Sequence, residues 1–436
     1  MAERTWYDVS PSAARLTGSL RDIGYDFPTA VADVVDNSVA AGATRVEILI
    51  EHDGTDSRVF IADDGGGMSP PALLEALRFG TRRDYGRGEL GRYGLGLKTA
   101  SLSQCRVLTV VSRSSKSVVR TCARALDLDL IEEWDQWVIV DPSNAVPAVA
   151  RARQWLAEGT GTVVIWQLLD RVLPEKRPEG GWARRRLEAL AARTADHLGI
   201  VFHRFLEGID GRPQLVITVN GQKVQPWDPF ARQEPATVEL SMQRFEIEST
   251  DNVGQVTLRR FVLPPRDRFS DPDGFERLSG PLNWNRQQGL YVYRANRLVQ
   301  WGGWSGIRGI DEHTKLARAA LEFDTDLDSV FNINVAKMRV ILPAQLRQLI
   351  EPSVNELCVL ADDAYRKTSR RETLPVPKDL GVPAEVRAVS QAAATAGLAL
   401  RMAAMHTDQW SAWEQIEAVL RQQSPEVAEL LGLDAV

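Results

Sequence analysis

The sequence has few cysteines, no long apolar run and no large excess of charge. Of its 436 residues only three are cysteines, Cys105, Cys122 and Cys358. Their scattered positions and odd number favour reduced, structural thiols over a disulfide framework or a metal site. No run of 18 apolar residues could span a membrane, and the first residues lack the basic-then-apolar plan of a signal peptide. We therefore expect a cytoplasmic protein that does not enter a membrane.

The charge balance argues against general attraction to nucleic acid. The formal net charge is −6, so any contact with DNA would have to come from local basic patches. Candidate patches are Arg184 to Arg186, Arg259 with Arg260, and Arg266 with Arg268, although a charge cluster is usually a solvated face. With 44% hydrophobic and 25% charged residues, the chain has an ordinary globular composition, and its length allows two or three domains.

A helix is predicted over residues 28 to 41, because Pro28 suits a first helical turn and Ala41-Gly42 is a stop signal. One face of this helix is an apolar stripe of Val31, Val35 and Val39. Another face carries Asp33, Asp36 and Asn37. Clustered carboxylate and amide oxygens are the ligands that a hard cation such as magnesium needs. A solvated helix face would show the same pattern, so this segment alone leaves both interpretations open.

Three further segments suggest close contact with a ligand. Two predicted strands, over 46 to 50 and 59 to 61, lead into Asp63-Asp-Gly-Gly-Gly-Met68, where glycine lets backbone approach a ligand. The segment Gly91-Arg-Tyr-Gly94-Leu-Gly96-Leu-Lys98 opens a helix, whose free amides would form a phosphate cradle. A later strand is entered through Gly161-Thr162. Each pattern is common by itself, and the Rossmann fingerprint has a different context from the second one.

Together, these four segments resemble the GHKL ATPase superfamily, which includes gyrase B subunits, ninety-kilodalton heat-shock chaperones, histidine kinases and MutL. Within it the chain looks most like the MORC-type branch. The resemblance is strong over residues 20 to 170 and looser to about 350. It implies an α+β fold built on a Bergerat-type α/β sandwich, with a mixed, mostly antiparallel sheet and helices on one face. It also implies ATP and Mg²⁺ as cofactors.

The resemblance assigns an adenine pocket. Asp63 matches the aspartate that accepts a hydrogen bond from the adenine amino group, and Thr162 matches a threonine that helps to hold the base. Gly65 and Gly67 would give the base room, and Met68 would line its pocket.

The resemblance also assigns the phosphate and metal contacts. Asn37 matches the asparagine that binds the magnesium ion bridging the ATP phosphates. Gly91, Gly94 and Gly96 match the phosphate-binding glycines at the end of a mobile lid, and Lys98 stands where MORC-like members carry a phosphate-contacting lysine.

Asp33 departs from the family pattern. It stands where many members have the glutamate that activates the attacking water, and aspartate is one methylene shorter. A general base must reach its water within about 2.6 to 3.2 Å, so either the site is repositioned or turnover is slow. Asp36 is an alternative base, and its other interpretation is helix capping or packing.

The second half of the chain resembles the transducer domain that follows the ATPase domain in gyrase, MutL and MORC proteins. A long helix is predicted over 182 to 206, then a hairpin at 215 to 224, and strands over 236 to 249, 255 to 263 and 289 to 301. In such domains a loop lysine reaches the terminal phosphate, and Lys337 matches it; otherwise it is an ordinary exposed lysine. His197 and His203 lack companions at metal spacing, so we expect packing or surface roles.

The sequence divides into five predicted regions. They are an N-terminal arm (1–27), a GHKL ATPase domain (28–206), a transducer-like domain with a terminal helix (207–371), a proline-rich linker (372–383) and a C-terminal helical segment (384–436).

The expected function is an ATPase, with slow hydrolysis, that works as an ATP-driven conformational switch through lid closure and transducer movement or dimerisation. By resemblance it acts on DNA in a restriction, anti-phage or DNA-maintenance system. The alternative is a non-hydrolysing, ATP-gated scaffold or a chaperone-like protein with protein partners, for which the C-terminal helices offer a surface. A histidine kinase is disfavoured, because no histidine precedes His52 and a transducer follows the pocket.

Overall fold

The computed structural model describes residues 11–22, 24–80, 96–114, 121–173, 179–209, 211–248, 253–280, 282–328, 330–331, 340–372, 396–397, 399–404, 409–424, 427–428, 431 and 433. The chain forms two compact units, residues 1–371 and 372–436. The first unit contains two β-sheets, each covered by helices. No helix in the described part of the chain is both long enough and apolar enough to cross a membrane.

The helices are α1 (Ala13–Arg21), α2 (Phe27–Ala40), α3 (Pro70–Leu77), α4 (Gly96–Leu102), α5 (Leu128–Trp134), α6 (Pro147–Trp155), α7 (Gly181–Val201), α8 (His203–Glu207), α9 (Pro272–Leu278), α10 (Trp284–Gln287), α11 (Ala344–Glu372) and α12 (Trp410–Gln423). The strands are β1 (Arg45–Glu51), β2 (Arg58–Asp63), β3 (Val107–Arg113), β4 (Cys122–Asp127), β5 (Gly161–Gln167), β6 (Val216–Val219), β7 (Gln222–Lys223), β8 (Val238–Glu239), β9 (Gln243–Glu248), β10 (Val253–Val262), β11 (Gly289–Arg294), β12 (Arg297–Trp301) and β13 (Ala317–Phe323).

The first sheet has the strand order β4-β3-β5-β2-β1-β6-β7. Its neighbours are antiparallel except for β1 and β6, which are parallel. Three neighbouring strand ends therefore lie side by side: the end of β2, the start of β5 and the end of β3. Thr162 pairs there with Asp63 on one side and with Ser112 on the other. This mixed sheet with its helices has the expected α+β architecture, and the register gathers polar side chains from three strands at one place.

Helix α2 packs on one face of the first sheet, beside α4 and α7. Asp26 is its N-cap and accepts a hydrogen bond from the amide of Thr29 at 3.0 Å. The predicted stripe of Val31, Val35 and Val39 is buried in the core. The resemblance implies helices on one face of the sheet. In the structure, α6 also packs on the other face, against alternate residues of β2, β3 and β5.

The second sheet has the order β12-β11-β13-β10-β8, and β9 also pairs with β10. Here two predicted strands are each divided in the structure. The stretch 236–249 becomes β8 and β9, which both pair with β10. The stretch 289–301 becomes the hairpin of β11 and β12, because Ala295 and Asn296 adopt left-handed conformations with φ of 47° and 68°.

The C-terminal unit has a small core of its own. Trp413, Ala428 and Leu433 are buried together. Glu417 on α12 is buried and accepts hydrogen bonds from Arg401 at 2.6 Å and Arg421 at 2.7 Å.

Candidate functional site

The centre of the site is the partly buried carboxylate of Asp63 at the end of β2. Its Oδ1 accepts hydrogen bonds from the amides of Gly65 at 2.9 Å and Thr162 at 3.2 Å, and its Oδ2 accepts one from Ser38 Oγ at 2.9 Å. Burial raises the pKa of Asp63, which these three donors oppose. A carboxylate so held has fixed lone pairs and remains able to accept a further hydrogen bond from a ligand.

Ser112 completes the polar edge of the first sheet. Its hydroxyl lies 2.9 Å from Thr162 Oγ1 and 3.0 Å from the carbonyl of Gly161, and it accepts a hydrogen bond from the amide of Met68 at 2.8 Å. The β2–α3 connection is therefore tied to β3 and β5 beside Asp63. The structure thus brings together Asp63, Met68 and Thr162, which the sequence placed in one adenine pocket.

The glycines around Asp63 allow the chain to pack against itself. Gly67 has a φ of +62°, and a β-carbon there would lie 2.0 Å from the carbonyl oxygen of Arg113. At Gly65 a β-carbon would lie 2.9 Å from that of Ala41. Glycine is needed at these positions for backbone packing, whatever room it also provides for a base.

Asp33 is buried in the middle of α2, although a solvated face was one of the interpretations of this segment. Its Oδ2 accepts a hydrogen bond from the hydroxyl of Tyr25 at 2.7 Å. Burial raises the pKa of Tyr25, and the neighbouring charge of Asp33 raises it further. The hydroxyl of Tyr25 therefore stays protonated and acts as the donor in this hydrogen bond. A β-carbon at Gly96, where α4 begins, would lie 3.6 Å from the same oxygen. The candidate base therefore adjoins the start of the predicted phosphate helix.

Asp36 pairs with an arginine from the second sheet. Arg297, the first residue of β12, donates from Nε to Asp36 Oδ1 at 2.9 Å. Its Nη2 lies 3.6 Å from Asp33 Oδ1. All three side chains are at most 3% exposed. This geometry fits the packing interpretation of Asp36. It also places Arg297, a residue of the second sheet, beside the candidate base Asp33.

Asn37 is exposed on α2, in contrast to its two acidic neighbours. Its Nδ2 donates to the carbonyl of Asp33 at 3.0 Å, which orients the amide and leaves its oxygen as a possible hard-cation ligand. No group of three His, Cys, Asp or Glu side chains among the described residues could hold a metal ion. Magnesium at nucleotide sites usually takes several of its ligands from phosphate and water.

Lys98 is buried at the front of α4. Its Nζ donates to the carbonyl of Ala76 in α3 at 2.8 Å and lies 5.9 Å from the ring centre of Phe79. Burial lowers the pKa of Lys98 to about 8. In this arrangement the lysine links α4 to α3, and its role toward phosphate stays a prediction. Gly91, Gly94 and Lys337 lie outside the described residues.

The predicted basic patches are largely ion-paired. Arg260 is buried and pairs with Glu356, so its assignment to a surface patch was wrong. This side chain lies under α11 because β10 places it on the inner face of the second sheet. Arg184 pairs with Glu188 and Arg259 with Glu239, both at 2.9 Å.

His197 on α7 is expected to make the fold acid-sensitive. Burial, helped by Arg297 and opposed by Asp26 and Asp36, lowers its pKa to about 4 from 6.5. The unfolded chain therefore binds the proton first, and stability is lost as pH falls from 6.5 towards 4, by at most about 3 kcal/mol. Urea unfolding across this range should show a shallower pH dependence in His197→Gln. The control variant is His313→Gln, which makes the same substitution at an exposed histidine.

Four residues of this site were missing from the sequence interpretation: Tyr25, Ser38, Ser112 and Arg297. One signal was available, since Arg297 is a charge next to Leu298 and Val299 in a predicted strand, and a charge that is buried needs a partner. The others contact the site through tertiary packing, which no local pattern reports.

Comparison with known proteins finds similarity over the part of the chain that carries Asp33, Asn37, Asp63 and Lys98. Residues 25–156 match the family described as histidine kinase-, DNA gyrase B-, and HSP90-like ATPase. Protein MICRORCHIDIA 6 of Arabidopsis thaliana is 34% identical over 97 residues, which are 21% of this chain and 15% of that protein. Protein MICRORCHIDIA 5 of the same plant is 36% identical over 92 residues, 20% of this chain and 13% of that protein.

A bacterial relative matches a shorter segment. The DNA mismatch repair protein MutL of Caulobacter vibrioides (strain NA1000 / CB15N) is 45% identical over 49 residues, which are 11% of this chain and 8% of that protein. The chain thus spans less than a fifth of the length of each of these three relatives.

Proposed function

Because residues 25–156 carry a GHKL-type ATPase domain similar to those of MORC and MutL proteins, we propose that this chain binds Mg-ATP and uses it as a conformational switch. The observation that carries the proposal is the partly buried carboxylate of Asp63, fixed by donors from three chain segments. In this proposal Asp63 accepts a hydrogen bond from the adenine amino group. Thr162 and Met68 stand beside it, and Gly65 and Gly67 allow the backbone turn that shapes the pocket.

The phosphates are proposed to lie between α2 and the start of α4. The amide oxygen of Asn37 would ligate magnesium, which neutralises phosphate charge when bound. Gly91, Gly94 and Gly96 would donate backbone amides, while Lys98 and Lys337 would supply positive charge. Positioning and electrostatics of this kind account for most phosphoryl-transfer catalysis.

Hydrolysis is proposed to use Asp33 as the general base for water. Tyr25 fixes one carboxylate oxygen of Asp33, and Arg297 stands close to the other. Because Arg297 belongs to the second sheet, a change at the nucleotide site would also change a contact of that sheet. This supports the proposal that the second sheet is a transducer whose position, or pairing with a second copy of the chain, depends on nucleotide state.

DNA is the output that the MORC and MutL resemblance favours, in a restriction, anti-phage or DNA-maintenance role. Protein partners would more naturally use the C-terminal unit, where Ile416 and Val419 on α12 are about half exposed.

A second candidate is an ATP-gated scaffold that does not hydrolyse ATP. It is favoured by the same contacts at Asp33, because a carboxylate held by Tyr25 and close to Arg297 has less freedom to accept a proton from water.

Nucleotide binding is the first test of the proposal. Asp63→Ala should weaken Mg-ATP binding at least tenfold, because it removes the base-recognition carboxylate. Asp64→Ala is the matched control, since the hydrogen bonds of the Asp64 side chain to the described residues come from the amide and hydroxyl of Thr44 and the amide of Arg45. Calorimetric titration of the wild type and both variants, each checked for folding by circular dichroism, makes the comparison. Equal affinity for all three, or absent wild-type binding, would overturn the proposed pocket.

A further inference from the structure

A cavity lies beside Tyr25, which is one of its lining residues. It encloses about 510 Å³ between the segment that leads into α2, the end of α4 and one face of α7. Its size is in the range of small-molecule sites. None of the residues assigned to nucleotide binding lines it. We call it the arginine cavity, because Arg21, Arg171, Arg186 and Arg193 line it.

The cationic groups of this cavity exceed the acidic ones. The four arginines face two aspartates, Asp22 and Asp26. Asp22 accepts a hydrogen bond from Arg171 at 2.7 Å, and Asp26 accepts one from the amide of Thr29 at 3.0 Å. Both carboxylates are therefore already engaged. Arg21 is likewise engaged, since it donates to Asp170 at 2.6 Å and to the carbonyl of Leu102 at 2.7 Å.

Arg186 and Arg193 are the two arginines of this cavity that pair with no carboxylate among the described residues, whereas Arg21 pairs with Asp170 and Arg171 with Asp22. Arg186 and Arg193 lie seven residues apart on α7, so they share a helix face with Leu190 between them. Arg186 donates from Nε to the carbonyl of Val172 at 2.6 Å. This hydrogen bond orients the guanidinium group and does not use its two terminal nitrogens. Arg193 is exposed and has no hydrogen bond or ion pair with any residue that the structure describes.

Apart from the polar side chains of Ser103 and Gln104, the uncharged part of the lining is mainly apolar or aromatic. Phe27, Pro28, Val172 and Leu190 line the same space as the two guanidinium groups. Guanidinium groups match the planar, multi-oxygen geometry of phosphate, and an apolar wall favours a hydrocarbon portion beside it. We propose that the arginine cavity is a binding site for a small organic phosphate, held by Arg186 and Arg193, and distinct from the Mg-ATP site.

An occupant of this cavity would touch the candidate catalytic helix. Tyr25 lines the cavity and donates to Asp33, while Asp26 lines it and caps α2. Tyr25 thus contacts both the cavity and the candidate base Asp33.

The test uses phenyl phosphate as the probe in a ligand-observed NMR titration of the full chain, with and without a non-hydrolysable ATP analogue. The double variant Arg186→Gln/Arg193→Gln should weaken binding at least tenfold. The matched double variant Arg184→Gln/Arg185→Gln removes the same charge from the same helix, outside the cavity lining, and should stay within twofold of wild type. Arg193→Gln alone should weaken binding at least threefold and, because Arg193 is exposed, without loss of folding.

The absence of saturable binding to the wild type would overturn the proposal. Equal weakening by the two double variants would also overturn it, because it would indicate unspecific attraction. Binding that the ATP analogue abolishes would place the probe in the nucleotide pocket and also overturn it. A parallel titration with a short DNA duplex separates the phosphate sources. If DNA binds through Arg186 and Arg193 while phenyl phosphate does not, a nucleic-acid backbone is the occupant and the small-ligand proposal is wrong. Failure of ATP binding would leave these comparisons intact, because they are read without nucleotide as well.

Discussion

Asp33→Ala is expected to lower ATP turnover by about 10²- to 10⁴-fold, the usual contribution of a general base, while Mg-ATP affinity changes little. Asp33 is buried on α2, oriented by the hydroxyl of Tyr25 at 2.7 Å, and adjoins Gly96 at the start of α4. Asp33→Asn retains the size of the side chain but not its basicity, so it should lose turnover to a similar extent. Phosphate release and calorimetric ATP titration on the same preparations make the measurement.

Asn37→Ala is the comparison variant for this experiment. It removes the proposed magnesium ligand from the exposed side of the same helix. We therefore expect this variant to lose magnesium-dependent ATP binding. If the wild type binds ATP tightly but shows no turnover above that of Asp33→Ala, the hydrolytic role is wrong. The chain would then be an ATP-gated scaffold, as the contacts of Asp33 with Tyr25 and Arg297 also allow.

Arg297→Met is expected to destabilise the first unit by about 3–5 kcal/mol, because removing one partner of a buried ion pair leaves a charge without compensation. Arg297 and Asp36 are each at most 3% exposed, and their atoms are 2.9 Å apart. The measurement is the urea unfolding of variants at both positions, monitored by tryptophan fluorescence. If Arg297 also couples the second sheet to the nucleotide site, Arg297→Lys should retain part of the stability and lower turnover further than binding.

A double-mutant cycle separates pairing from simple loss of packing. Asp36→Leu combined with Arg297→Met replaces two buried charges by apolar groups, so the double variant should be more stable than either single variant. Additive losses would show that the two side chains act independently and would remove Arg297 as a link between the sheets. Arg294→Met is the comparison variant within the second sheet. Arg294 forms a buried ion pair with Asp328 at 2.6 Å, and neither residue belongs to α2.

Local patterns located most of the secondary structure. The helix predicted over 28 to 41 is α2, Phe27–Ala40, because a capping aspartate, a proline in the first turn and the valine stripe act within the helix itself. The strands that flank Asp53-Gly54 are likewise observed as β1 and β2. The break at 295–296 was missed because two non-glycine residues adopt positive φ there, which their sequence signals only weakly.

The sequence by itself determined the order of the motifs, the family that they resemble and the helix that carries Asp33, since each depends on residues close together in the chain. Only the tertiary structure decided what those residues contact. Ser38 meets Asp63 across 25 positions, Thr162 meets it across 99, and Arg297 meets Asp36 across 261. Such contacts arise from sheet register and from the packing of the second sheet against α2 and α7, and the free energy that fixes them comes from burial of the whole core. No short segment contains that information, and for this reason Arg297 and the arginine cavity became visible only in the folded chain.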